Sequence, residues 1–358
     1  MAGLFASLAG HEQIVFGSDA ASGLRCIIAI HSTALGPSLG GTRFFPYDSE
    51  ADALEDVLRL SRGMTYKAAC AGLDLGGGKA VILGDPDSDK SEALLRAYGR
   101  VVQSLGGRYI TACDVGTYPA DMAVIARETR WVTGMDPIDG GSGDSGVATA
   151  FGVSIAARAV AEHLWGQPSF AGHHVAVQGL GKVGARVVEY LGADGCKLTV
   201  ADIDEDAVDR VAARFPVDVV KPDDIIDVDA DLLSPNALGA ILTDETIPRL
   251  QVAAVCGGAN NQLGTIDDAQ RLQDRRILYA PDYVVNAGGV IQVSDELHPT
   301  GYSNERALRK VEQIGRMLRE IFALADEQRV TTEVAAERVA ERRIESVRRL
   351  RAFWLPEA

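Results

Sequence analysis

Between Ser49 and Cys70 the apolar side chains recur three and four positions apart, through Leu54, Val57 and Leu58, with acids crowding the first turn. That spacing predicts an amphipathic helix, and Ser49 stands where its hydroxyl can cap the first free N–H groups. SEALLRAYGRVVQSLGG, from Ser91, repeats the pattern and is stopped by Gly106 and Gly107. Runs of a different kind alternate with these helices. ASGLRCIIAIH, ending near His31, and GRYITACDVGT, turning near Asp114 and Gly116, are dense in β-branched and apolar residues and read as strands.

Past residue 147 the alternation becomes regular. TAFGVSIAARAVAEHLWG is a long helix, followed by HHVAVQGLGKVG, KLTVADID, ADLLSPNA, VAAVCGGAN and ILYAPDYVVNAGG. Such a β–α series predicts a parallel sheet covered by helices on both faces. DGGSGDSG, at 139–146, is the sharpest break in composition and reads as a flexible joint between two domains. Two domains also suit 358 residues, more than one core usually serves. From Asn304 the chain is helical and charged, and the arginines of VAAERVAERRIESVRRLR read as a solvated face.

Composition narrows the partners. A formal net charge of -15 repels phosphates, which argues against nucleic acid or an anionic membrane surface. No apolar run approaches the roughly 20 residues that span a bilayer. The start, MAGLFASLAGHEQ, lacks the basic region of a signal peptide. Cys26, Cys70, Cys113, Cys196 and Cys256 are scattered, without a CxxC pair, and read as reduced thiols of a cytoplasmic protein. No metal-ligand spacing occurs, so no metal is expected.

Two stretches carry chemistry. HHVAVQGLGKVGARVVEYL sets Gly179, Gly181 and Gly184 in GxGxxG spacing between a strand and a helix, with Leu180, Lys182 and Val183 filling the loop. Gly179 serves the turn, Gly181 admits a pyrophosphate to the backbone, and Gly184 lets helix and strand pack closely. Asp202 ends the next strand eighteen residues past Gly184, where an acid can accept from an adenosine ribose and repel a 2′-phosphate. Ile203 and Asp204 follow, with no arginine to receive that phosphate, so NAD is expected over NADP.

The second stretch is GLDLGGGKAVI, which delivers Lys79 into an apolar strand. It is not a Walker A loop, since Leu73 stands at the first glycine position and Ala80 replaces the Ser/Thr. A buried lysine without a task is costly. Lys67 lies twelve residues upstream and Asp114 thirty-five downstream, both at element ends. Two amines and an acid make a plausible catalytic set, one cation for a substrate carboxylate and the other amine as a base. The glycines beside Lys79 are expected to let substrate and cofactor approach. Cys113 invites a nucleophile reading, but no histidine can be set beside it from the sequence.

LGGTRFFPY, GMTYKAACAGLDLGGGKAVI, GGRYITACDVGT, GLGKVG, GGANNQL and YAPDYVVNAGGVIQVSDEL together resemble the amino-acid dehydrogenases of the glutamate, leucine, valine and phenylalanine group. The likeness runs from about His11 to the C-terminal helices and is nearest to the valine-specific branch. It implies an α/β protein of two domains. Residues 1–143 would form a substrate-binding and oligomerisation domain with a mixed sheet, rejoined by the C-terminal helix 328–358. Residues 144–327 would form a Rossmann-like NAD domain, with a cleft between the two. By position, Lys67 would hold the α-carboxylate with Asn261, Lys79 would activate the attacking water, and Asp114 would carry protons to and from the amino group. Thr149 and Asn286 would position the nicotinamide. The reaction implied is reversible oxidative deamination to a 2-oxo acid, ammonia and NADH, by a homo-oligomer.

In the same resemblance Leu39, Gly40 and Gly41 border the side-chain pocket, with Ala112, Val290 and Val293. Glutamate-specific relatives have a lysine where this chain has Leu39, so an acidic side chain would go unpaired here. Alanine at 112, where phenylalanine-specific relatives tend to have glycine, favours a branched-chain, valine-type substrate; leucine or phenylalanine is the alternative. Folate and 2-hydroxy-acid dehydrogenases fit less well, lacking a reason for Lys67, Asn261 and the NAGGVI turn together or requiring a histidine motif absent here. A catalytically silent NAD sensor would be expected to have lost a lysine or the acid, and Lys67, Lys79 and Asp114 are all present.

Overall fold

The computed structural model describes residues 10–237 and 239–350. Most of the N-terminal stretch weighed above as a leader, and Arg351 of the basic C-terminal run, lie outside them. The chain forms two compact units, one running through Asp144 with 292–304 and the chain from Ala340, the other comprising Ser145–Ile291 and Glu305–Val339.

The first unit contains β1 (Gln13–Asp19), β2 (Leu24–Ser32), β3 (Ser38–Phe45), α1 (Glu50–Cys70), β4 (Gly76–Leu83), α2 (Glu92–Ser104), β5 (Tyr109–Cys113) and α3 (Pro119–Ile125). Its strands lie in the order β1-β2-β4-β3-β5. The β1–β2 and β2–β4 pairs are antiparallel and the β4–β3 and β3–β5 pairs parallel, so the sheet is mixed as expected. On one face Cys26, Ile28, Ile30, Phe44, Ala80 and Ile82 pack with Leu94, Leu95, Tyr98 and Val102 of α2. On the other, Ile27, Ala29 and Val81 meet Ala53 and Val57 of α1. Burial on both faces is why β2 reads as a continuous apolar run rather than an alternation.

The Ser49 hydroxyl accepts the Asp52 N–H at 3.2 Å and starts α1. Ala53, Val57, Ser61 and Thr65, four apart and small, form its buried stripe. Small residues let the helix backbone come down onto β4, and here the glycine run finds its explanation. A Cβ on Gly77 would stand 2.1 Å from the Thr65 nitrogen, one on Gly76 1.9 Å from the Ser32 oxygen, and one on Gly78 2.8 Å from the Tyr109 ring. Protein atoms already fill the space these glycines leave. They serve close packing rather than ligand approach, contrary to the expectation from sequence. Gly77→Ala should therefore push α1 off the sheet and cost about 1–3 kcal/mol, lowering Tm by several degrees. Calorimetry checks this, and an unchanged Tm would show that α1 shifts freely.

The second unit holds α4 (Gly146–Trp165), β6 (His174–Gln178), α5 (Gly184–Ala193), β7 (Lys197–Ala201), α6 (Glu205–Ala212), β8 (Asp218–Val219), β9 (Leu232–Pro235), β10 (Ala254–Val255), α7 (Asp267–Asp274), β11 (Leu278–Tyr279) and α8 (Asp282–Val285). The order is β11-β10-β9-β6-β7-β8, with every pair parallel. Strand order reverses between β6 and β9, the switch point at whose carboxyl ends doubly wound folds bind ligands.

Four helices follow, α9 (Gly288–Asp295), α10 (Asn304–Val311), α11 (Gln313–Gln328) and α12 (Thr332–Arg348). Arg343 on α12 departs from the solvated face expected of it. Its guanidinium donates to the Ala69 and Leu73 carbonyls at 3.3 and 2.8 Å and to Asp74 at 2.9 Å. It thus fastens α12 to the last turn of α1 and to the loop that follows it. No helix among the described residues is long and apolar enough to cross a membrane.

Candidate active site

Strand register brings together the candidate residues of the first unit. Because side chains alternate along a strand, the pairings Leu39↔Gly77, Arg43↔Val81 and Gly41↔Ala112 put Leu39, Gly41, Arg43, Lys79 and Ala112 on one face of the mixed sheet. It is the face that α1 covers, and Lys67 stands half-buried in that helix's last turn. Gly40 and Gly41 are required by crowding. A Cβ on Gly40 would lie 1.7 Å from the Gly78 oxygen, and one on Gly41 would lie 2.4 Å from the Cys113 oxygen and 2.9 Å from the Asp114 Cβ.

Lys79 is 6% exposed, and its Nζ lies 2.9 Å from Asp114 Oδ2. The pairing compensates the burial of the ammonium. Asp114 leaves the end of β5 in a tight turn clamped to β3. Its N–H donates to the Thr117 hydroxyl at 2.9 Å, which in turn donates to the Thr42 carbonyl at 2.7 Å. Gly116, at φ +75°, closes the turn, and a Cβ there would meet the Phe44 oxygen at 2.1 Å. Burial pushes the Asp114 carboxyl up, but the Lys79 ammonium and the Arg43 guanidinium outweigh it and hold the group below its ordinary value.

Sequence reading missed Arg43. Its Nε donates to Asp114 Oδ2 at 3.2 Å and its Nη1 to Asp56 at 2.8 Å. Asp56 also accepts from the Tyr47 hydroxyl at 2.7 Å and from Arg59 at 2.9 Å. Arg43 lay in view within LGGTRFFPY, but nothing local names its partners. Glu296 was missed as well. It accepts the Gly134 and Ser142 N–H groups at 2.9 and 2.8 Å, while Gln292 donates to the Ser142 carbonyl at 2.9 Å. The glycine-rich segment read as a loose joint is pinned there. Cys113 is no nucleophile: burial drives its thiol up to about 12, and its Sγ bonds the Gly134 carbonyl.

The second unit carries its own set of candidate residues. Gly179, at φ +84°, follows β6 at the switch point, where a Cβ would meet Ala237 N at 2.7 Å. On Gly184 a Cβ would strike the Gly179 oxygen at 1.8 Å, so helix α5 sits tight against the turn. At Gly181 a Cβ would meet nothing within 4 Å. The middle glycine of GLGKVG thus opens onto free space, as a pyrophosphate cradle requires, while its neighbours serve packing. The Leu180 N–H donates to Asp202 Oδ2 and the Asp204 N–H to Oδ1 at 2.9 Å, fixing the carboxylate at the end of β7. Lys182 is exposed and Val183 half-buried at the start of α5.

Asn286 is 6% exposed, and its Nδ2 donates to Asn260 Oδ1 at 2.7 Å. Its Oδ1 is buried with no hydrogen-bond partner, an acceptor left for a donor such as a carboxamide. The turn that follows packs onto the start of α4, since a Cβ on Gly288 would lie 2.0 Å from the Ala148 oxygen and one on Gly289 2.9 Å from the Thr149 hydroxyl. Asn261 is exposed in a left-handed conformation at φ +52°, and its carbonyl accepts the Ala240 N–H at 2.6 Å. Val290 and Val293 lie half-buried along α9. Open space at Gly181, a fixed acid at Asp202 and an orphaned acceptor at Asn286 fit a dinucleotide.

The chain matches known proteins over nearly its full length. It is 55% identical to the valine dehydrogenase of Streptomyces coelicolor over 342 residues, 95% of this chain and 93% of that one. It is 50% identical to the leucine dehydrogenase of Geobacillus stearothermophilus, over 96% of this chain and 94% of that one. Among solved structures, L-tryptophan dehydrogenase from Nostoc punctiforme superposes with a TM-score of 0.86 at 44% identity, covering 97% of this chain and all of that one. Residues 11–131 match the Glu/Leu/Phe/Val dehydrogenase dimerisation domain, and residues 140–208 and 197–351 match the Glutamate/Leucine/Phenylalanine/Valine dehydrogenase domain. These matches span both units, and the chain belongs to the glutamate/leucine/phenylalanine/valine dehydrogenase family of amino-acid dehydrogenases.

Proposed function

We propose that this enzyme uses NAD to deaminate a branched-chain, valine-type L-amino acid oxidatively and reversibly, giving the 2-oxo acid and ammonia. The observation that carries the reading is the buried Lys79 amine 2.9 Å from the Asp114 carboxylate. NAD, when bound, supplies the hydride acceptor. Gly179 to Gly184 and Asp202 hold its pyrophosphate and ribose, and Thr149 and Asn286 its carboxamide. The acid at Asp202, followed by Ile203 and Asp204, supports NAD over NADP.

Lys67, with Asn261, binds the substrate α-carboxylate. Lys79 takes a proton from the water that adds at Cα of the oxidised substrate, and Asp114 carries protons to and from the amino nitrogen. Leu39, Gly40, Gly41, Ala112, Val290 and Val293 border the side chain. Leu39 is 1% exposed and apolar, which leaves a glutamate carboxylate without a partner at a cost of several kcal/mol. The substrate-binding and oligomerisation role belongs to residues 1–143 with 328–358, and the NAD-binding role to 144–327. The dimerisation-domain match supports a homo-oligomer, and the acidic composition and scattered thiols support the cytoplasm.

Steady-state assays of NADH formation with valine, leucine, isoleucine, phenylalanine and glutamate test this. Valine should give the highest kcat/KM, with leucine lower by no more than about 10–200-fold, the range one methylene commands, and glutamate inactive. A preference for phenylalanine or glutamate would overturn the substrate assignment. No turnover on any amino acid, with NAD bound, would overturn the enzyme.

A further inference from the structure

We propose that Arg43 is a positioning residue for the reaction, fixing Asp114 through one oxygen and keeping that carboxylate charged while Lys79 exchanges its proton. The inference rests on the reading of Asp114 as proton carrier.

Three observations carry it. Arg43 Nε and Lys79 Nζ meet the same oxygen, Oδ2, at 3.2 and 2.9 Å, leaving Oδ1 unclaimed by either cation. The far side of the guanidinium is held at 2.8 Å by Asp56, which Tyr47 and Arg59 hold in turn. And Arg43, Asp56 and Asp114 are all largely shielded, with side chains 22%, 15% and 23% exposed, so the linkage is not a solvent-screened surface pair.

The chemistry explains why a second cation is needed. A lysine acting as a base is neutral for part of the cycle, and Asp114 then loses the positive charge 2.9 Å away. A guanidinium does not give up its proton, so Arg43 remains as counterion throughout. The groups facing Asp114 are Lys79 from β4 and Arg43 from β3, with the neutral Cys113 thiol beside it; Asp56 on α1 acts through Arg43. Burial works against the ionised carboxylate, and the two cations more than offset it.

The test is the pH dependence of amino-acid oxidation by the full-length enzyme and its variants Arg43→Gln, Arg43→Lys and Asp114→Asn. Arg43→Gln should lower kcat by about 10–100-fold and KM less. It should move the acid limb of kcat/KM up by about one pH unit, because Asp114 then protonates at higher pH. Arg43→Lys should return most of the limb position and little of kcat, since an ammonium supplies charge without the fork that spans Asp114 and Asp56. An unmoved limb and a kcat near wild type in Arg43→Gln overturn the proposal. Asp114→Asn separates the two ideas. If it too turns over normally, the proton-carrier reading has failed; if it is inactive, Arg43 alone has been misjudged. Should Arg43→Gln not fold, Tyr47→Phe removes one hydrogen bond and no charge from the clamp. It should lower kcat by about two- to tenfold with NAD affinity unchanged, and no change overturns the proposal.

Discussion

Lys79→Ala is expected to lower kcat by about 10²–10⁴-fold, the contribution of a positioned base, while NAD still binds. Two losses act together. The amine proposed to draw a proton from the attacking water is gone, and Asp114 keeps only Arg43 as a counterion in a site largely closed to solvent. NAD binding should survive because the residues proposed to hold it, Gly181, Asp202 and Asn286, belong to the other unit. Single-turnover kinetics and a fluorescence titration with NAD measure the two properties separately. A variant turning over within a few-fold of wild type would remove Lys79 from the base role, and one that had also lost NAD binding would point to a folding defect.

Lys67→Ala should instead raise the KM for the amino acid by about 30–5000-fold, since removing one partner of a shielded ion pair costs about 2–5 kcal/mol. Its effect on kcat should be the smaller of the two. Lys67 stands two residues past Thr65, where α1 lies so close to β4 that Gly77 has no room for a Cβ. The ammonium is therefore carried on a backbone that can hardly move, which is what a fixed carboxylate anchor needs. An unchanged KM would assign the carboxylate to another cation.

What the sequence revealed, and what it hid, divides by the reach of the interactions. Ser49 capping α1, the Gly106–Gly107 stop and GLGKVG at the end of β6 each answer to backbone geometry within a few residues, so periodicity and motif find them. The two-domain α/β class and the parallel second sheet followed from the same local signals. Arg43, Asp56, Glu296 and Arg343 did not show themselves, because each takes its meaning from a partner set by sheet register or by chain return. Arg43 finds Asp114 across 71 positions, Glu296 finds Gly134 across 162, and Arg343 finds Leu73 across 270. The GGGK run was misjudged for a related reason: a glycine string announces missing side chains but not whether protein or ligand fills the space. Contact geometry decides it, closing Gly76 to Gly78 and leaving Gly181 open.

The grip of Arg343 on the end of α1 bears on the enzyme's birth. Helix α1, which carries Lys67, leaves the ribosome early, but Arg343, which donates to Ala69 in its last turn and to Leu73 just beyond it, belongs to a helix made much later. Close to 200 residues separate Asp144 from Ala340, so at roughly 5–20 residues per second the nascent first lobe waits about 10–40 s for its final piece. During that interval the second lobe can complete its own core, since its strands are contiguous in the chain. The parallel sheet of the second lobe can thus form while the first lobe still waits for α12, so the two lobes need not mature together.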